Sequence, residues 1–330
     1  MADAVVATGV VVLNYDGARY LEHCLDSILA CDPLPARLAI VDNASRDDSL
    51  SLVRSWAASH GIPMAECVDG APPDGLAPGE PEPWLILVRM TRHRGCSGGN
   101  NAGLRALLRD PSLTHFLMLD NDTEVDSRYF AELADAVAMA PDVGMLSGTI
   151  YHFDDRSRVW YAGGRSIPWR ALVLHRLEVP HDRRPVPTEF VTGCAMVVSR
   201  ELLDRIGPMP ECYFPVYVED AEYSHRARES GLPVMYAPGP VVHHRIGSTV
   251  GRAGVSPRAK YMDTRHRGFY VRRNFRGWRR AAGLAYLVTT KPCRAVIELL
   301  RGRPAMAGAL LRGTASGLLS RDASQDSAPF

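Results

Sequence analysis

The first 150 residues alternate short apolar runs with amphipathic stretches. Residues 5–14, VVATGVVVLN, are apolar and β-branched almost throughout, the pattern of a strand buried on both faces. Leu21, Leu25, Ile28 and Leu29 recur at helical spacing and predict a helix over residues 20–30. Residues 38–41 predict a second strand. Leu50, Val53 and Trp56 predict a second helix, capped by Ser45 or Asp47. Further strands are expected at 84–88, 116–119 and 143–146. Helices are expected through Leu104, Leu107 and Leu108, and over 129–139. Strand and helix in alternation predict a parallel sheet with right-handed crossovers.

Beyond residue 150 the pattern is mixed. Residues 159–161, 171–177, 190–199, 234–236 and 241–243 read as strands, with helices at 201–206 and 219–230, the second closed by Gly231. From about residue 256 the chain reads as helical segments broken at Pro292 and Pro304, and 321–330 as a disordered tail. Residues 67–83, rich in Pro and Gly, read as a surface loop.

Composition adds three constraints. At 330 residues and 46% hydrophobic, the chain can bury a large core. Seven cysteines without a C-x-x-C pair argue against a disulfide scaffold or a structural zinc site. No basic-then-apolar leader opens the chain, and no apolar run is long enough to span a bilayer, so a cytoplasmic protein is expected. The net charge of +1 hides a split. Residues 1–250 carry 22 Lys+Arg and 33 Asp+Glu, whereas 251–330 carry 16 and 4. A basic C-terminal extension of this kind suits either an anionic membrane face or the acidic body of the same chain. No nucleic-acid-binding module accompanies it.

Polar residues cluster where the strands end. The run 116–119 stops at Asp120-Asn121-Asp122, two carboxylates on a turn. Such a turn can offer hard oxygens to Mg²⁺ or Mn²⁺, or can be a solvated turn before a helix capped by Asp126. Asp42-Asn43 ends the second strand and can accept from a base or ribose, or can cap a helix. Asn14 and Asp16 end the first strand. Residues 95–103, GCSGGNNAG, read as a glycine-rich turn before a helix. There the backbone can approach an anion, with Arg92 and Arg94 adding charge. Glu219-Asp220 follows the aromatic stretch Phe214-Pro215-Val216-Tyr217-Val218 and can supply a general base, or simply suit a helix N-terminus. Of the adjacent His243 and His244, at most one can face a metal, because strand neighbours point to opposite faces.

Taken in order, these segments resemble the family 2 glycosyltransferases, in particular a bacterial rhamnosyltransferase-like branch. The matching stretches are Val11-Val12-Leu13-Asn14, Val41-Asp42-Asn43-Ala44-Ser45, Gly95 to Gly103 and Leu119-Asp120-Asn121-Asp122. They continue with Thr192-Gly193-Cys194 through Arg200, Phe214 to Glu222, and Pro238 to His244 with Gly247-Ser248-Thr249. Arg273-Asn274 comes last. The resemblance implies a GT-A fold, that is, a Rossmann-like α/β nucleotide-diphospho-sugar transferase with a mixed, mainly parallel sheet. A catalytic domain would span 1–255, with a donor half at about 5–125 and an acceptor half at about 126–255, followed by a helical extension over 256–320.

It further implies inverting transfer of a sugar, rhamnose or another deoxyhexose, from a dTDP-, UDP- or GDP-linked donor to a hydroxyl. The acceptor would be a glycan, lipid-linked or small molecule in cell-surface glycan or secondary-metabolite synthesis. Asn14, Asp16, Asp42, Asn43, Arg94, Gly95, Gly99, Asn100, Asp120 and Asn121 would contact the donor. Asp122, Asp120 and His244 would bind Mg²⁺ or Mn²⁺. Asp220 would be the general base, and Glu219 would orient it or the acceptor. The sequence departs from the family pattern at His93 and Cys96. A nucleotidyltransferase and a non-catalytic sugar-nucleotide-binding module are the competing readings.

Overall fold

A computed structural model describes residues 6–72, 83–170, 172–246 and 256–320. The features expected at Gly247-Ser248-Thr249, at the tail 321–330 and within the 67–83 loop at 73–82 lie outside the described residues.

The chain begins β1 (Thr8–Asn14), α1 (Ala18–Leu29), β2 (Arg37–Asp42), α2 (Ser49–Ser59), β3 (Met64–Val68) and β4 (Leu85–Arg89). It continues α3 (Gly95–Leu107), β5 (His115–Asp120), β6 (Thr123–Val125), α4 (Tyr129–Met139), β7 (Met145–His152) and β8 (Val159–Tyr161). Next come β9 (Gly164–Ile167), β10 (Leu172–His175), β11 (Val186–Pro187), β12 (Ala195–Ser199), α5 (Arg200–Ile206) and α6 (Glu219–Glu229). Last come β13 (Val234–His244), α7 (Pro257–Asn274), α8 (Gly277–Leu300) and α9 (Pro304–Leu319).

The main sheet runs β11-β13-β7-β12-β5-β1-β2-β4-β3. The stretch from β5 to β3 is parallel. β12 lies antiparallel to both β5 and β7, and β13 lies parallel to β7. Both faces of the sheet are dry. Val10 and Val12 of β1 enter one apolar cluster, Val11 and Leu13 the other. Successive side chains point to opposite faces, so a centrally placed strand must be apolar at every position, which is what residues 5–14 display.

From β1 the chain steps outward to β2, then to β3 and β4. It afterwards crosses to the other side of β1 to form β5. This reversal opens a crevice beyond the C-terminal ends of β1, β2 and β5, where open α/β sheets bind ligands. Asn14 lies level with Asp42, and Leu13 with Asp120.

Several expectations need correction. Residues 95–103 are the first turns of α3, not a turn before a helix. A Cβ on Gly99 would overlap Leu13 Cδ1, so glycine lets α3 lie directly on the sheet. Pro292 stays inside α8 without ending it, whereas Pro304 starts α9. The break falls instead at Phe275 and Arg276, between α7 and α8. The stretches 234–236 and 241–243 are one strand, β13, with an irregularity between Tyr236 and Val241. Of residues 190–199 only Ala195–Ser199 pair as a strand in the main sheet, and β3 and β9 had no forerunner in the pattern.

Candidate active site

One edge of the crevice is a polar knot. Asn14 Nδ2 donates to Asp42 Oδ1 at 3.4 Å and to Ser45 Oγ at 3.2 Å. Asn14 Oδ1 accepts from Asn121 Nδ2, so the ends of β2, β1 and β5 are tied through one buried asparagine. Asp42 Oδ2 also accepts from the Ser45 N–H at 3.2 Å. Asp16 is exposed, with φ of +48°, and accepts from the Arg46 N–H at 2.6 Å.

Asn43 works on the backbone: its Oδ1 accepts from the Arg94 N–H at 2.9 Å and its Nδ2 donates to Gly95 O at 3.0 Å. Gly95, at φ +68°, turns the chain into α3 against Pro215 O. The Arg94 guanidinium lies on Glu211 Oε2 at 2.5 Å rather than open to the crevice, and Arg92 is exposed. Gly99 faces Leu13 and Asn43. Asn100 is buried, and its Oδ1 has no hydrogen-bond partner among the described residues. His93, the departure noted above, stacks on Tyr15 with ring centroids 4.0 Å apart.

At the end of β5 the carboxylates crowd together. Burial, then Asp122, push the Asp120 carboxyl up to about 7; His244 pulls the other way, and Asp220 adds a smaller push upward. Asp122 is buried, and its Oδ1 lies 3.3 Å from His244 Nε2. Burial opposes a charge on His244, but Asp122 and Asp120 outweigh it and hold the imidazole above its ordinary value. His243 pairs across the ladder with Glu124, its ring is nearest Tyr151, and burial lowers its pKa. His244 is therefore the histidine of this site. Among the described residues, Asp120, Cys194 and His244 bring their donor atoms within 4.8 Å of one another. Sequence reasoning missed Cys194, although it stands in the Thr192-Gly193 motif and its carbonyl accepts from the Asp120 N–H at 3.0 Å.

The third part of the site is the start of α6. Tyr217 and Val218 both have left-handed backbone, at φ +85° and +78°. For non-glycine residues this costs on the order of 1–3 kcal/mol each and persists where the surroundings impose it. The turn presents Glu219 and Asp220. Asp220 Oδ2 accepts from the Gly193 N–H at 3.2 Å and Oδ1 from the Ala221 N–H at 2.8 Å. Burial raises the Asp220 pKa in spite of those donors, and burial with Asp220 beside it raises Glu219 further. Glu219 Oε2 is buried with no hydrogen-bond partner among the described residues. The thiol of Cys96, pushed up first by burial, also feels Glu219, Asp120, Asp220 and Asp122, so the four carboxylates share one region.

The turn is held from behind by α7. His266 is fully buried, with Nδ1 3.1 Å from Val216 O and 3.2 Å from Tyr217 O. Both are acceptors, so the ring proton sits on Nδ1. Glu222 accepts from the Tyr213 hydroxyl and pairs with Arg273 Nε at 3.5 Å. His266 carried no signal in the sequence. It lies in a polar run whose partners are backbone carbonyls 49 and 50 residues away.

The arrangement fits a divalent cation. Buried acids and one imidazole offer ligands, and His244 Nδ1 has no hydrogen-bond partner among the described residues, whereas burial pushes the Cys194 thiol well above its ordinary value.

Residues 9–207 match the sequence model "Glycosyl transferase family 2", and residues 115–313 match "Glycosyl transferase family group 2". The chain is 23% identical over 225 residues to the low-salt glycan biosynthesis hexosyltransferase Agl10 of Haloferax volcanii, covering 68% of this chain and 62% of that protein. The chain thus spans less than two thirds of that relative's length. The mannosyltransferase PcManGT from Pyrobaculum calidifontis, solved with GDP-Man and Mn²⁺, aligns with a TM-score of 0.54 at 20% identity. That alignment covers 95% of this chain and 87% of the other. GalNAc-T7, solved with UDP, GalNAc and Mn²⁺, aligns at 0.57 and 15% identity over 82% of this chain and 50% of its own. S. aureus TarS aligns at 0.51 and 14% over 85% and 42%. At these identities the likenesses show the fold, which is GT-A.

Proposed function

Since this chain belongs to the family 2 glycosyltransferases, we propose that it transfers a hexosyl group, with inversion, from a nucleoside diphosphate donor to an acceptor hydroxyl. The observation that carries this reading is the crevice itself. Asp42 and Asn14 stand at one end, Asp120, Asp122 and His244 in the middle, and Asp220 on Gly193 at the other.

Asp42 would accept from the donor's base or ribose, with Asn14 and Asn121 fixing its neighbours. Asp120, Asp122 and His244, with Cys194 beside them, would hold Mg²⁺ or Mn²⁺, whose charge would offset that gained by the leaving diphosphate. Asp220 would take the acceptor's proton as the acceptor oxygen bonds to the anomeric carbon and the bond to the diphosphate oxygen breaks. One displacement inverts the anomeric centre, so one base suffices. The Gly193 and Ala221 N–H groups aim the Asp220 carboxylate, and burial keeps it basic enough to accept. Glu219 would bind the acceptor from the same turn.

Rhamnose or another deoxyhexose as the sugar follows from the branch resemblance alone, while the names of the hexosyl- and mannosyltransferase relatives suit hexoses in general. A glycan or lipid-linked acceptor, met at the inner face of a membrane, fits the basic extension. The catalytic unit would be 1–255, with 256–320 bracing it.

The test is a donor screen by product mass spectrometry, with candidate acceptors and water present. We expect one glycosylated product and free nucleoside diphosphate, both lost on chelation of divalent metal. Pyrophosphate as the product would point to nucleotidyl transfer and sink the reading.

A further inference from the structure

Among the described residues no helix is long and apolar enough to cross a membrane, yet α8 leaves one side bare over 24 residues. Trp278, Ala281, Ala285, Val288, Val296 and Leu299 recur at helical steps and fall on one side, a stripe about 32 Å long at 1.5 Å per residue. The stripe carries no charged residue. Trp278 is 75% exposed, Val288 48%, Val296 54% and Leu299 53%. The opposite side, with Gly283 and Leu287, packs on the body. A Cβ on Gly283 would sit 2.7 Å from Val271 Cγ1 of α7 and 3.4 Å from Trp169 O.

The charge around the stripe is mostly positive, with Glu298 the one acid on α8. Arg276 caps α8, Arg279 and Arg280 follow, and the first turn holds no acid, the reverse of what the helix dipole favours. Arg294, Arg301 and Arg303 stand toward the other end, all exposed. Arg301 and Arg303 meet Glu298 and Arg267 meets Asp263 within the extension, while Arg273 of α7 reaches Glu222 of α6.

We propose that this side of α8 is a docking face for an anionic bilayer. The helix would lie in the plane of the interface. Its apolar stripe would reach the acyl boundary, with Trp278 and the flanking arginines at headgroup depth. A second copy of the chain is a poor occupant. Parallel or antiparallel pairing would bring arginines against arginines, because both ends of α8 are basic. Anionic lipid supplies what both ends lack.

The proposal extends the membrane part of the functional reading, but its test does not need transfer. The full chain is sedimented with vesicles of phosphatidylcholine alone and of phosphatidylcholine with phosphatidylglycerol, at low and high salt. Wild type should bind the anionic vesicles and lose binding as salt rises. R279Q and R280Q should each weaken binding about fivefold. V288E/V296E, on the exposed side, should weaken it about tenfold or more while transfer to a soluble acceptor stays unchanged. Equal binding to neutral vesicles, or V288E/V296E binding like wild type, would overturn the proposal. So would a dimer of the chain that V288E/V296E disperses. The D220N variant separates the two readings: it should bind vesicles normally whether or not Asp220 is the base.

Discussion

Each acidic residue of the site works at a proton affinity set by its neighbours. Asp220 is raised above the ordinary carboxylate, mainly by burial. A base is lost as pH falls through its own pKa. The acidic limb of kcat/KM should therefore lie above about pH 4, the ordinary carboxylate value. D220N should lower kcat by about 10²–10⁴-fold and remove that limb. A pH–rate profile of both proteins checks this, and an unchanged limb in D220N would assign it elsewhere. Asp120 makes a different prediction. Its carboxyl titrates at about 7 in the fold, well above an unfolded chain. The folded state therefore keeps a proton that the unfolded state has released. This group's contribution to stability is full below about pH 4 and is lost as pH rises to 7. In chelator, D120N should melt higher relative to wild type at pH 8 than at pH 4.5, and thermal unfolding at the two pH values shows whether it does.

At the scale of elements, the helix that carries glycines and the helix that carries His266 do the positioning. Gly99→Ala should force α3 off Leu13 and Asn43 at a cost of about 1–3 kcal/mol, read as a lower urea midpoint. A midpoint equal to wild type would mean that α3 has room to spare. His266→Phe should keep the ring but lose the Nδ1 donor to Val216 and Tyr217, loosening the left-handed turn under Asp220. A kcat lowered by up to about 100-fold, with donor affinity unchanged, is expected. His266→Asn, whose amide can take the Nδ1 position, should recover more activity than His266→Gln.

These two helices also show what the sequence could and could not disclose. β1, β2 and β5 were legible because a strand buried on both faces must be apolar throughout, and their polar ends marked the crevice. α3 read as a turn because glycine is a poor helix former, and close approaches to Pro215, Leu13, Val11 and Val41 explain why glycine is needed there. β3 was missed because its half-buried edge carries Glu66 and looks like loop. Asp120, Asp122 and His244 were visible as strand ends, whereas Cys194 and His266 earn their places through contacts across the sheet and from a distant helix.

For the whole molecule, the sheet collects residues from far apart in the chain at one crevice and leaves them short of positive charge. A divalent cation should raise the melting temperature, and more at pH 8 than at pH 5, because the acids it would join are then ionised. Equal shifts at both pH values would speak against Asp120 as a ligand. The contact between His266 and the Val216–Tyr217 carbonyls bears on how such enzymes can be recombined. A chimera that exchanges everything after residue 255 would import a foreign α7 and strip the Tyr217–Val218 turn of its own brace. Crossovers placed beyond Asn274 would leave His266 and Arg273 with the turn they support, so the start of α6 and the helix α8 could be traded separately.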